Sequence, residues 1–244
     1  MTESTDSTAA GTEGTAAVGP DLETAREMKR GERRSPMALA VLAVGVMSLL
    51  IPEDFRIARG TAIAYPVMLV AFLGILIIGD PGRIDRDVRW LRVTSGAMIS
   101  VITFVTFVTV VRLVIGILTR ASFASAGQLL EIGAIVLVTN MIAFALLFWH
   151  MDAGGPAARY HGRPEPRRAF VFPEVDLPEL QDTHWYPQFI DYLALSFNTC
   201  TAFSPTDVSA VRHWAKLLMI LESSMSLTIV TLVLAQAINS LGSS

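Results

Sequence analysis

From Val93 to Leu118 the chain carries one charged residue, Arg112. Wound as a helix, that run reaches ~39 Å, more than the ~30 Å hydrocarbon thickness of a bilayer. A backbone surrounded by lipid has to satisfy its own N–H and C=O groups, and a helix does so within one segment. Further apolar blocks run from about Pro36 to Ile51, Thr61 to Ile78, Leu129 to Trp149 and Ala215 to Ala237. Each is near the ~20 residues that a crossing helix needs, the first being short. Only 17% of the residues are charged and 52% are hydrophobic, where a soluble domain carries about a quarter charged residues. The apolar residues come in blocks and do not alternate. The expected fold is therefore all-α and polytopic: four transmembrane helices, then a pore-like helix-loop, then a final transmembrane helix.

Four regions follow from this pattern. Residues 1–34 read as a disordered N-terminal tail. Its first part is rich in Thr, Ser, Gly, Ala and Glu and has neither the basic nor the apolar region of a signal peptide. Residues 35–150 hold the four-helix domain, opened by Ser35-Pro36 as an N-cap and first-turn pair and punctuated by Pro52 and by Gly79-Asp80-Pro81-Gly82. Residues 151–186 form a polar linker that includes AGGPAARYHGRPEPRR, expected to be irregular and to lie on the surface. Residues 187–244 form the pore-like module and the last helix.

That last region carries most of the functional information. Asp191 to Asp207, DYLALSFNTCTAFSPTD, leads from an amphipathic helical segment into a Thr/Ser/Pro turn, and a helix of spanning length follows. A polar, non-helical backbone at membrane depth is tolerated where protein buries it or water reaches it. Charge bears on how this segment lies. Lys29, Arg30, Arg33 and Arg34, then Arg83, Arg86, Arg89 and Arg92, then the arginines of the linker form three basic regions. All three belong on the cytoplasmic side. A pore loop that enters from outside conflicts with that placement. A complete crossing by Tyr186–Phe203, ~27 Å as a helix, removes the conflict and gives six crossings with both termini inside. Both arrangements stay open, the charge balance favouring the second.

SFNTCTAFSPTD, Ser196 to Asp207, resembles the pore helix and filter of two-helix-type potassium channels, whose signature is a Thr-rich helix end, then TVGYG, then Asp. WAKLLMILESSMSLTIVTLVLAQAI looks like their inner helix, with Glu222 where such channels often carry Glu and Ser226 where they often have a hinge glycine. The resemblance covers about a quarter of the chain. It implies filter-like roles for Thr199, Thr201, Ala202, Phe203, Ser204, Pro205, Thr206 and Asp207, with Asp191, Glu222 and Ser226 supporting the module. One pore loop cannot encircle a pathway, so it also implies a homo-oligomer, a tetramer by analogy. The family's glycines let successive carbonyls face the ion. Here Ser204 and Thr206 take those places around Pro205, so a potassium-selective carbonyl stack is not expected. The whole chain also resembles uncharacterised bacterial integral-membrane proteins, including those with domain of unknown function 1345, which implies a bacterial inner membrane.

Other residues have plainer readings. Asp191 suits a first helical turn and Asp207 a turn or cap. Glu131 and Arg112 lie at membrane depth, where ionisable groups are functional hypotheses by default. A structural pair of Glu131 with Arg112 or Arg120 is expected. Asn140 is expected to hydrogen-bond between helices, Cys200 to fill space among small residues, and Trp149, Trp185 and Trp214 to anchor at the interfaces. The histidines show no metal-binding spacing, and neither enzyme motifs nor a nucleic-acid-binding surface stand out, so no cofactor or metal is expected. The chain is thus expected to be an ion-channel-like membrane protein, weakly selective among monovalent cations, with the lipid bilayer and its own copies as partners. A non-conducting structural or partner-binding protein of pore-loop ancestry is the alternative.

Overall fold

The structure is a computed structural model and describes residues 31–56, 62–84, 86–119, 126–161, 167–177, 185–201 and 207–242. These residues are mostly helical, with α1 (Ser35–Leu50), α2 (Ala64–Gly79), α3 (Arg89–Leu118), α4 (Ala126–Met151), the short α5 (Pro156–Tyr160), α6 (Phe189–Thr201) and α7 (His213–Gly242). Strand pairs β1 (Glu32–Arg33) with β2 (Arg83–Ile84), and β3 (Phe170–Val171) with β4 (Ser209–Ala210), are antiparallel clips of two residues per strand. Helices α3, α4 and α7 are long and apolar enough to cross a membrane. The chain is a multi-pass membrane protein. Helices α1 and α2 are apolar but only 16 residues each, ~24 Å long. Helix α1 starts at Ser35 itself, with Arg34 in the cap position and no side-chain cap bond.

Helix α4 is the axis. Helices α1, α3, α6 and α7 all pack on it, and it is the most buried of the three long helices. Its contact with α7 depends on small residues, as close helix packing in lipid requires. A Cβ added at Gly133 would sit 2.9 Å from both γ-carbons of Val233. Seven residues on in α4, and seven back in α7, Asn140 donates to Ser226 Oγ at 3.0 Å, so the two helices run antiparallel. Between α2 and α3 a Cβ at Gly79 would stand 2.4 Å from the Trp90 ring, which closes that hairpin tightly. Facing outward are large apolar side chains such as Ile78, Phe104, Leu217 and Ile238, which suits a lipid surround.

Where α4 ends, a buried polar hub joins segments that are distant in sequence. Ala153 (φ 47°), Gly154 (φ 84°) and Gly155 (φ 96°) reverse the chain through left-handed conformations. Asp152, fully buried, accepts from the backbone N–H of Ala169 (2.5 Å) and Phe170 (3.4 Å) at Oδ1, and from the Tyr192 hydroxyl (2.5 Å) at Oδ2. Arg159 donates to the carbonyls of Trp149 and Asp152 and lies 4.9 Å over the Tyr192 ring. Buried Glu32 receives Trp149 Nε1–H at 2.9 Å and the Phe189 N–H at 2.5 Å. Burial pushes the Glu32 carboxyl above the usual carboxylate range, and these two donors and Arg159 pull it back. Nearby, Arg34 spans to Asp80 (3.3 Å) and to the Leu76 carbonyl.

Three expectations change here. Residues 31–34, assigned to the tail, are built into the fold through β1, Glu32 and Arg34, because each finds a partner worth its burial. Residues 1–30 lie outside the described residues. The linker is not wholly on the surface: Asp152, Ala169, Phe170 and Phe172 are buried beneath the helix ends. Trp149 is no interfacial anchor, since its ring is buried and its N–H is taken by Glu32.

Removing one member of the hub leaves buried donors without acceptors, which costs more than the bond itself. Asp152→Ala should therefore destabilise the folded protein by about 3 kcal/mol or more, and Tyr192→Phe by about 1–2 kcal/mol. Unfolding in mixed detergent micelles measures both.

Candidate functional site

Helix α6 forms because its sequence offers one continuous face and a fixed start. Phe189, Tyr192, Leu195, Ser196, Thr199 and Cys200 are buried, the spacing of an inward helical stripe. Asp191 reaches back to accept from the Gln188 N–H at 2.7 Å, and Glu32 holds the Phe189 N–H. Ser196 then meets Glu222, and four residues further along both helices Cys200 meets Ser226. Equal steps in the same direction mean that α6 and α7 run parallel. Both start at the end of the bundle that holds the Asp152 hub. Phe170 packs on Trp214 near the start of α7 with ring centroids 6.1 Å apart, and on Tyr192 in α6 at 6.2 Å.

The consequence is geometric. Helix α6 has 13 residues, ~20 Å. By that register, its C-terminal end lies ~21 Å along α7 from His213. The chain is nevertheless back at the hub end by Ser209–Ala210, where β4 pairs with β3. Among the described residues, α6 and β4 thus do not form the complete crossing that charge balance favoured.

At the inner end of α6, three helices contribute to one buried polar cluster. Ser196 and Glu222 are hydrogen-bonded, and Ser196 Oγ also lies 2.7 Å from the Met141 carbonyl. Ser226 receives Asn140 Nδ2–H and lies 2.9 Å from Cys200 Sγ. Ser223 donates to the Thr199 carbonyl at 3.0 Å. Asn140, Ser196, Glu222 and Ser226 are all 0% exposed. A serine hydroxyl has one hydrogen. Ser196 can give it to the Met141 carbonyl or to Glu222, not to both. The two contacts are hydrogen bonds together only when Glu222 carries a proton on Oε1 and donates. Glu222 Oε2 and Asn140 Oδ1 have no partner among the described residues, so the cluster keeps acceptor capacity in reserve.

The residues singled out from sequence divide between this cluster and other places. Glu222, Ser226 and Thr199 belong to it. The Thr199 hydroxyl bonds back to the Leu195 carbonyl at 2.9 Å, and that of Thr201 to the Phe197 carbonyl at 3.0 Å, so neither is held toward a pathway. Asp191 caps the far end of α6, and Asp207 is exposed beside β4. Ala202, Phe203, Ser204, Pro205 and Thr206 lie outside the described residues. Arg112 donates to the carbonyls of Asp54 and Arg56, while Glu131 is exposed, so the expected pair with Arg112 does not form. Arg120 falls outside the described residues. Asn140 makes its expected interhelical bond.

Ser196, Ser223 and the Met141 carbonyl were not foreseen. Ser196 and Cys200 share a helical face with Tyr192 at four-residue steps, a spacing visible in the sequence. Nothing there pointed to their partners on α7.

Glutamine at 222 keeps a neutral group that can both donate to Ser196 and accept, whereas alanine leaves the Ser196 hydroxyl and a void. Glu222→Gln should cost under about 1 kcal/mol of stability and Glu222→Ala about 2–3 kcal/mol, measured by unfolding in mixed micelles. Equal losses would show that the proton on Glu222 is not what the cluster uses.

Compared with protein-family models, with curated proteins and with solved structures, the chain matches none of them.

Proposed function

We propose that this chain is an ion-channel-like membrane protein whose α6–α7 unit is a re-entrant pore module opening toward the cytoplasm. The observation that carries it is the parallel register of α6 on α7 with the return of the chain to the same end. A half-helix that stops midway along a spanning helix places its C-terminal carbonyl end, the negative end of its dipole, at membrane depth. Broken helices in transporters bind cations in that way. The Glu222 cluster lies beside it.

Orientation follows from charge. Arg34, Arg83, Arg86, Arg89, Arg92 and Arg159 all lie at or near the hub end, which the positive-inside rule places in the cytoplasm. The loop then enters from inside, five helices cross, and α7 ends outside. In this proposal the protein resides in a bacterial inner membrane, copies of the chain, four by analogy, assemble around the pathway, and monovalent cations pass with little discrimination. The apolar outer face of α7, with Leu217, Ile220 and Leu227, serves lipid or those copies. The non-conducting alternative is favoured by one observation: the Glu222 cluster is closed inside a single chain, as a purely structural cluster is.

Two experiments test the proposal. A cysteine at Gln188, at the start of α6, should stay shielded from an impermeant thiol reagent in intact cells, while one at Asn239, near the end of α7, should be labelled. Shielding of both restores six crossings. In planar bilayers, purified oligomer should carry current whose reversal potentials in mixed sodium and potassium lie close together. Absence of current from folded oligomer selects the non-conducting reading, and monomers alone in native mass spectrometry count against the pore.

A further inference from the structure

A second site lies in the other half of the molecule. Helices α1 to α4 enclose a cavity of about 260 Å³ near the ends of α1 and α2 remote from the hub. Its wall is apolar, with Val44, Val105 and Val136 among the lining residues, and it is several times larger than the ~30 Å³ share of one water in the liquid. Three of its lining residues hold polar atoms that are buried and have no hydrogen-bond partner among the described residues: Tyr65 Oη, Thr106 Oγ1 and Arg56 Nε.

The contrast with neighbouring hydroxyls makes this specific. Thr109 donates to the Val105 carbonyl at 2.9 Å, Thr139 to Ile135 at 2.7 Å and Ser48 to Gly45 at 2.6 Å, each within its own helix. Such back-bonding is the ordinary fate of a hydroxyl on an apolar helix. Thr106, only 3% exposed, does not make it. Depth agrees as well. Gly79 of α2 touches Leu91 of α3, and counting ~22 Å along each antiparallel helix from that contact brings Tyr65 level with Thr106.

Charge then narrows the class. Arg56 Nη2 donates to the Leu49 carbonyl, and the exposed Arg112 donates to the Arg56 and Asp54 carbonyls. The Arg56 guanidinium thus stands at one end of the cavity, with Arg112 held against the Arg56 backbone. The described lining residues include no acid, and Glu53 and Asp54 on the preceding turn are exposed. An N–H of arginine only donates, so its counterpart must be an acceptor, and the cationic group favours an anionic one.

We propose that this cavity binds an alkyl amphiphile with an anionic oxygen head, a carboxylate or a phosphate. The head takes hydrogen bonds from Arg56, Tyr65 and Thr106. The first part of the chain fills the apolar space, and the rest leaves into the bilayer. The site is independent of the α6–α7 unit, so a protein that conducts nothing still binds, and a pore without this ligand still conducts.

The test is equilibrium binding to the full chain in nanodiscs of a zwitterionic lipid, with labelled dodecanoate, dodecyl phosphate and dodecan-1-ol as probes and protein-free nanodiscs as background. One of the two anions should bind saturably, one per chain, and whichever is tighter identifies the head group. The alcohol should bind at least tenfold more weakly. Arg56→Gln should weaken the preferred anion by about tenfold or more, and Thr106→Val and Tyr65→Phe by about fivefold each. Valine has the shape of threonine, so Thr106→Val decides if Arg56→Gln fails to fold. Overturning results are the lack of saturable binding of either anion, equal binding of the alcohol, or unchanged affinity in Thr106→Val and Tyr65→Phe.

Discussion

Asp152 is the constraint on which the rest of the arrangement hangs. It is buried at the point where α4 stops, and its carboxylate gathers the backbone N–H groups of Ala169 and Phe170 and the hydroxyl of Tyr192. A buried carboxylate is costly unless it is fully hydrogen-bonded or paired, so wherever it lies the chain must bring donors to it. Here the donors come from the linker and from α6, and Arg159 supplies the opposite charge nearby. Glu32 works in the same way on the first residues of α6. Together they fix where α6 starts and in which direction it runs. Its inner end then falls beside Ser226, midway along α7, because α6 has only 13 residues.

Such polar groups select one packing more than they add net stability. Hydrogen bonds between helices in lipid are worth on average well under about 1 kcal/mol, because the separated helices also find partners. Asn140 with Ser226, and Ser196 with Met141 and Glu222, nevertheless admit few alternatives. Slipping α6 by one residue rotates Ser196 and Cys200 about 100° away from their partners and breaks the contacts of Ser196 with Met141 and Glu222 and of Cys200 with Ser226. The apolar contacts around them, Gly133 against Val233 for example, bring the helices close enough for these bonds to form.

How much of this was legible depended on whether the signal was local. The apolar runs gave α3, α4 and α7 to within a few residues, since length and lack of charge are properties of one segment. The boundary at Pro52 and the turn at Gly79–Gly82 were equally plain. The buried role of residues 31–34 was not, because Glu32 is explained only by Trp149 and Phe189, more than a hundred residues away. The linker misled for a related reason: its Pro and Gly content marks irregular backbone, and irregular backbone can be buried when a carboxylate such as Asp152 takes its N–H groups. The return of α6 was open to choice because 18 residues are just enough to cross. The register of Ser196 on Glu222 and Cys200 on Ser226 bears on it, because it sets α6 parallel to α7. Glu222 and Ser226 were picked out through a resemblance to a potassium-channel inner helix, yet their contacts stand without it.

The two features at mid-depth constrain each other. The carbonyl end of α6 carries partial negative charge, and the Glu222 carboxyl is on the neighbouring helix, ~7 Å back from that end. Among the described residues no arginine or lysine is bonded to Glu222: its side-chain partner is Ser196, and Asn140, Cys200, Ser223 and Ser226 complete the cluster. An ionised carboxylate beside a negative helix end, out of water, needs a cation next to it. A proton on Oε1 meets the same demand, and the single hydrogen of Ser196 requires that proton while α6 keeps its bond to the Met141 carbonyl. The closed form of the cluster is therefore the protonated one. Exchange of the proton for a cation would turn the reserve acceptors, Glu222 Oε2 and Asn140 Oδ1, into ligands and free Ser196 to donate to the carboxylate. Its bond to α4 would then be lost. On the proposed reading of α6 and α7 as a pore module, the atoms that lock α6 in place would couple occupancy of the site to the hold of α6 on the bundle.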